Sequence, residues 1–395
     1  MKKSLKAQYE TARLVDPQPI RGKESTVQLL EQAFGAYVGR QERMAFELMQ
    51  RSLQENAAVF LTLSGAMTPA GLHQSCLIPL IESGAISVLT TTGANLYHDA
   101  HRVIGHSIRE VNPNAGDLQF RLSQIIRIYD LGFWEEVLID TDKLFSALLL
   151  RPEFQRKMTT PQFHFLLGKA MADIERKLCV KRPSLLSTCH KHAVPIFVGA
   201  VQDGSIFLNA VKLKRLLGEA FAFEIDMLED VFSMAAIQHH CRNQGSKRMA
   251  IWILGGGVPK NYTLQGEPLL DQILHIPTDG FDIDVQFCVD PVDNGALSSC
   301  PAGEGHTWGK VSMEAVESGS VYVHTDVTAV FPWLTHALLS KRNLRRKPMR
   351  LMEQMDKALS ALDMAVHRRR KSLQETLSWE APPKKPTKSA CRRKK

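Results

Sequence analysis

From Val27 onward the apolar positions recur at helical spacing. Leu30, Ala33, Phe34 and Tyr37 share one face, and Met44, Ala45, Leu48 and Met49 mark a second helix. The period then changes. Residues 57–63, AAVFLTL, form a short apolar run rich in β-formers and predict a buried strand. SGAMTPAG follows as a turn and helix start, with a helix through Leu72, Cys76, Leu77 and Leu80, and ISVLT (86–90) is a second strand. Strand, helix and strand within about 30 residues make a βαβ unit, and so a parallel sheet. Further strands are expected at 193–199, 249–254, 281–289 and 320–325, with helices over 119–131, 162–177 and 225–244. This spread predicts one large, doubly wound α/β sheet spanning residues 26–340, with no internal repeat.

The ends differ in character. Residues 1–25 are polar and read as a loose arm. Beyond residue 340, SKRNLRRKPMR reads as a basic linker. Met352, Met355, Leu359, Leu362 and Val366 then alternate by three and four, as in a short amphipathic helix. The last stretch, APPKKPTKSACRRKK, has the composition of a disordered tail. Charge follows this division. The net charge is +8, yet residues 341–395 hold 18 Lys and Arg against 5 Asp and Glu, while the first 340 hold 31 against 36. The body is mildly acidic, so a nucleic-acid-binding body is not indicated. Contact with nucleic acid or acidic surfaces would belong to the tail. Removing residues 341–395 is expected to leave the body folded.

The chain is 44% apolar and 23% charged, ordinary for a globular protein. MKKSLKAQYETARL has no apolar segment behind it and no apolar run is long enough to span a bilayer, so a soluble, cytoplasmic protein without membrane contact is expected. Seven scattered cysteines with no C-x-x-C pair suggest reduced thiols rather than a disulfide framework or zinc site.

In parallel α/β folds, ligands sit beyond the carboxyl ends of the strands. Four such ends carry unusual residues: Ser64-Gly65-Ala66-Met67-Thr68, Thr91-Thr92-Gly93-Ala94, Gly255-Gly256-Gly257, and Asp326. Small residues admit a phosphate, ribose or ring close to the backbone, and Asp326 suits a ribose hydroxyl. None matches G-x-G-x-x-G, and any one alone also suits a tight turn. Their joint occurrence points to a nucleotide. PAGEGHTWGK (301–310) is the sharpest segment. There Lys310 near the aromatic Trp308 is a candidate for a depressed pKa and Schiff-base chemistry, and Trp308 with Glu304 suits a cationic amine. The plainer reading of this segment is a surface loop with a solvated lysine.

Several segments, in order, resemble the deoxyhypusine synthase family: TTTGANLYHDAH, VPIFVGAVQDGS, ILGGGVPKNY, EGHTWGK and DVTAVFP. TGANL and GGGVPKN look most like its bacterial, deoxyhypusine-synthase-like branch. The resemblance covers about residues 27–340. It implies a Rossmann-like fold, NAD as cofactor, a homotetramer, and aminobutyl transfer from spermidine through an enzyme lysine. The acceptor would be a protein lysine, or putrescine in homospermidine synthase relatives. By position, the catalytic lysine falls on Lys310, with Glu304 and Trp308 beside it in the polyamine pocket. NAD contacts fall on Gly65, Ala66, Met67, Thr68, Thr92, Gly93, Ala94, Asp203, Gly256, Val289, Asp290, Asp326 and Val327. His98 and Asn261 occupy the family's substrate-binding positions but differ in type. Tyr97 and His98 replace paired glutamates, Asn261 a histidine, Leu297 an aspartate, and Leu208 or Asn209 an acidic residue. The cofactor half is therefore better kept than the substrate half.

The rival reading is a non-catalytic or repurposed protein that keeps the scaffold and binds NAD or polyamine. A metal is not expected: His98, Asp99, His101 and His106 offer an H-x-x-H pair without an evident third ligand.

Overall fold

A computed structural model of the protein describes residues 4–378. Six strands form its central sheet: β1 Ala58–Leu63, β2 Val88–Thr91, β3 Ile196–Phe197, β4 Met249–Leu254, β5 Ile283–Cys288 and β6 Ser320–His324. They lie in the order β6-β5-β4-β1-β2-β3, and every neighbouring pair is parallel. Taken from the other edge this is 3-2-1-4-5-6, the doubly wound Rossmann-like order. The chain switches direction across the sheet between β1 and β4, where a crevice opens beyond the strand ends. Those two strands pair from Ala58 opposite Met249 to Leu63 opposite Leu254, and every residue of both is buried. Burial on both faces is why each is an unbroken apolar run in sequence.

Alternation along the strands divides the core in two. Val59, Leu61, Trp252, Val285 and Phe287 face α2 (Tyr37–Gln54) and α8 (Val327–Ser340). Phe60, Ile251 and Ile253 face α5 (Met227–Asn243) and the C-terminal residues Leu351 and Met355. The other helices that matter for the site are α1 (Thr26–Ala33), α3 (Gly93–Val103), α4 (Thr160–Lys177), α6 (Gly257–Leu264) and α7 (Ala302–Thr307). α1 and α4 start at reciprocal side-chain caps, Ser25 with Gln28 and Thr159 with Gln162.

Three expectations change. Residues 119–131 are not one helix. Asp117–Leu122 is helical, and Ile125–Ile128 then pairs antiparallel with Leu131–Trp134. A short apolar run does not declare its period, and three isoleucines beside a turn with Tyr129 at φ 51° resolve as a hairpin. In the 193–199 run only Ile196–Phe197 joins the sheet, at its edge, where the neighbouring Pro195 is tolerated. The polar arm contains a helical turn, Leu5–Glu10, capped by Ser4.

The basic linker is also more than a connection. Arg346 donates to the carbonyls of Ala57 (2.7 Å), Gly84 (2.8 Å) and Ala85 (3.0 Å), at the entries to β1 and β2. Beyond it, α9 (Met355–Gln374) buries Met355, Ala358, Ala361 and Leu362, with Ala358 and Leu362 packing near Ala235, Ala236 and Leu270. The amphipathic spacing thus reports a face docked on the body. The lysines and arginines of the final tail lie outside the described residues.

Candidate active site

Lys310 is placed by backbone pairing. Phe281 N donates to Lys310 O (3.0 Å) and Ser312 N donates to Phe281 O (2.9 Å), a short parallel bridge beside β5. Gly280 permits the approach, since a Cβ there would stand 2.7 Å from the Lys310 carbonyl carbon. On the other side Lys310 N donates to Gly305 O (3.0 Å), after Gly309 turns the chain at φ 70°. The lysine backbone is held on one side by this parallel bridge and on the other by a helix end, so its position is fixed by the fold.

The side chain enters a cleft of about 900 Å³ between α6, α7 and the loop before α7. Asn261, Glu304, Trp308 and Lys310 all line it, with Lys260 and Asp284 at its floor. Lys310 Nζ donates to Asn261 Oδ1 (3.0 Å) and stands 5.8 Å from the Trp308 ring centre. Burial pulls its pKa below the ordinary lysine value. The Lys260 ammonium acts in the same direction, and Cys300 and Glu304 oppose it. Lys260 is itself buried and donates to Gln286 Oε1 (2.7 Å), Cys300 O (2.8 Å) and Ser298 O (3.4 Å). Burial lowers its pKa too, with Asp284 opposing. An amine with a lowered pKa, an indole face and a carboxylate in one cleft can bind a cation and supply a nucleophilic nitrogen.

The glycine-rich strand ends gather separately, at the switch point. Gly65 (φ 64°) follows β1, and its carbonyl accepts from Thr92 Oγ1 (2.6 Å) and Asn95 Nδ2 (3.2 Å). Asn95 Oδ1 in turn accepts from Met67 N (2.7 Å) and Thr68 N (3.1 Å), so one buried side chain shapes the whole Gly65–Thr68 turn. Thr92 caps α3, and Ser64 Oγ accepts from Gly256 N (3.2 Å), tying β1 to the loop after β4.

Two of the glycines are closely packed against neighbouring backbone. A Cβ on Gly93 would stand 2.8 Å from the Cα of Gly204, and one on Gly256 would stand 2.6 Å from Ser298 O. Gly65 and Gly257 are the open ones, with nothing within 4 Å of such a Cβ. Asp203 follows β3 and is exposed, and exposed Asp326 caps α8 by accepting from Thr328 N (2.8 Å). The Val327 side chain is buried in the core, so only its backbone faces this edge. Exposed Val289 and partly buried Asp290 begin the loop that reaches Ser298.

Thus the residues expected for the substrate meet around Lys310, with one exception. His98 is not among the cleft's lining residues. It lies against His101 (Nδ1 to Nε2, 2.9 Å) and Phe133, and burial lowers its pKa to about 4. Its helical neighbour Tyr97 donates to Asp142 Oδ1 (2.9 Å). His101 also pairs with Thr141 Oγ1 (2.7 Å), so both imidazoles have structural partners. Sequence reasoning passed over Lys260, Asp284 and Gln286. Polar residues at alternate positions of FDIDVQF, inside an otherwise apolar strand, were the available signal.

The fold and the cleft define a Rossmann-like α/β protein with a lysine-bearing cleft beside a switch-point crevice. Comparison with known proteins narrows this. The family model for deoxyhypusine synthase matches residues 27–338, and the chain belongs to the deoxyhypusine synthase family. A deoxyhypusine synthase-like protein of Nostoc punctiforme is 38% identical over 328 residues, 83% of each chain. Another from Nostoc sp. is 36% identical, over 90% of this chain and 93% of its own. A solved Entamoeba histolytica chain, provisionally assigned as a deoxyhypusine synthase, has a TM-score of 0.52 at 13% identity, covering 83% of this chain and 98% of its own, and supports the fold. These relatives do not indicate the homospermidine synthase branch. No helix among the described residues is long and apolar enough to cross a membrane.

Proposed function

We propose that the protein is an NAD-dependent aminobutyl transferase that takes the butylamine part of spermidine, or a related polyamine, onto Lys310 and passes it to an acceptor amine. The observation that carries this reading is the Lys310 ε-amine, partly buried, lowered in pKa and turned into a cleft with an indole and a carboxylate. NAD, when bound, supplies the hydride acceptor that makes the carbon beside the secondary amine electrophilic, and later returns the hydride. The neutral Lys310 nitrogen attacks that carbon. A new C–N bond forms, the bond to the departing diamine breaks, and the diamine nitrogen leaves with a proton. The acceptor amine then displaces Lys310 by the same exchange. Asn261 orients the lysine through its 3.0 Å hydrogen bond, and Trp308 with Glu304 holds the cationic chain.

The switch-point crevice fits a dinucleotide. Gly65 and Gly257 leave open backbone there, and Asp203 and Asp326 are exposed carboxylates suited to ribose hydroxyls. Exposed Val258, Leu297 and Trp308 at the cleft support assembly with further copies, and the resemblance to the family implies a homotetramer. A second reading, binding of NAD and polyamine without transfer, draws on Asn261 and Leu297 standing where the family has a histidine and an aspartate. Borohydride trapping with NAD and spermidine decides between them. Transfer predicts a spermidine-derived adduct on Lys310 that is lost in Lys310→Arg, because a guanidinium stays protonated. A native protein that forms no adduct refutes it.

A further inference from the structure

Asp284 sits on β5 between Ile283 and Val285, whose side chains fill the core beneath α2 and α8. Alternation turns Asp284 to the opposite face, where it lines the Lys310 cleft. It is only 6% exposed, and among the described residues its carboxylate has no hydrogen-bond donor. Lys260 is the cation that acts on it, but the three donors of that ammonium are spent on Gln286, Cys300 and Ser298. A carboxylate buried without donors is unfavourable for the fold. It is the arrangement expected of a receptor whose partner arrives with the ligand.

We propose that Asp284 is the inner ammonium receptor of the cleft, taking the protonated primary-amine end of an alkylamine while Trp308 and Glu304 hold its outer part. The inference rests on the polyamine reading and deepens it. The charge missing at Asn261 and Leu297 on the rim is supplied from the floor, by a β5 residue. Burial holds the Asp284 carboxyl up at about 6. Binding an ammonium favours the ionised form, so ligand uptake near pH 6 releases a proton from this group.

The test is calorimetry on the full-length protein with NAD present, titrating spermidine, 1,4-diaminobutane and butylamine into the native chain and Asp284→Asn. At pH 8 the variant is expected to bind all three roughly ten- to a hundredfold more weakly, the range for a lost hydrogen bond to a charged group. NAD affinity should not change, and the melting temperature should stay level or rise, because a buried charge has been removed. At pH 6, the proton released on amine binding, read from buffers of different ionisation enthalpy, should appear in the native chain and vanish in the variant. Equal spermidine affinity in both proteins overturns the role of Asp284 and leaves the polyamine reading standing. A variant that melts lower, or fails to fold, makes Asp284 a structural counter-ion of Lys260 and also overturns the inference. If the native chain binds none of the three amines, the polyamine reading falls and the inference with it.

Discussion

Truncation at residue 340 should unfold the protein, although the sequence pattern marks that point as the end of the body. The magnitude follows from what the removed segment touches. Arg346 closes three backbone carbonyls at the entries to β1 and β2. Hydrogen bonds to a charged group contribute about 1.5–3 kcal/mol each, so Arg346→Met should cost about 3 kcal/mol even if water replaces part of the loss. Leu362 is wholly buried and Met355 nearly so, and cutting such side chains to alanine costs roughly 2–5 kcal/mol apiece. Losing the whole segment therefore forfeits on the order of 10 kcal/mol, as large as the entire stability of a typical domain. Urea titration followed by circular dichroism compares four proteins: the full chain, a chain ending at 340, a chain ending at 378, and Arg346→Met. The expected order is full chain and 1–378 equal, Arg346→Met lower, and 1–340 without a cooperative transition. A 1–340 chain with the full-length midpoint would refute the reasoning and restore the tail as an appendage.

Further outcomes follow from the site. Imine trapping should rise with pH as Lys310 deprotonates. Lys260→Met should move that rise to higher pH, because one neighbouring cation that lowers the Lys310 pKa is gone; an unshifted profile would remove Lys260 from the account. Asp203→Ala should weaken NAD binding about tenfold with the melting temperature unchanged, since this carboxylate is exposed and has no side-chain hydrogen bond or ion pair among the described residues; unchanged affinity places the ribose elsewhere. Gly256→Val should lower the melting temperature itself, because its side chain would run into Ser298. A stable Gly256→Val that has merely lost NAD would show that this glycine serves the ligand directly.

Much of the fold was legible because its central strands are buried on both faces. β1 and β4 are apolar at every position but Thr62, and such runs bounded by glycine have few other readings. The order of the strands was not legible. Only long-range pairing shows that β4, and not β2 alone, lies against β1, and that pairing is what creates the crevice. The hairpin at Ile125–Trp134 was hidden by a run too short to show its period. The role of the basic linker was hidden for another reason. Arg346 reads as a solvated charge, and nothing local reveals that it meets carbonyls roughly 260 to 290 positions earlier in the chain.

The site divides in the same way. Lys310, Trp308 and Glu304 share one segment of ten residues, so their meeting in a cleft needed little beyond local structure. Asn261 joins them from α6 because the loops after β4 and β5 lie side by side. The small residues were harder to assign. A glycine beside a strand end signals close approach but does not say of what. Gly65 and Gly257 leave space for a ligand, whereas Gly93 and Gly256 are filled by Gly204 and Ser298. Only the partner's position separates these cases. The same reasoning explains Asp284. In sequence it is one of three aspartates near the start of an apolar strand. Asp282 is engaged by Arg242 and Arg248, and Asp279 precedes the strand. Of the three, Asp284 is the one that combines deep burial, a place in the cleft and a carboxylate without a donor among the described residues. What distinguishes it is the missing partner, a property that appears only once every neighbour has been placed.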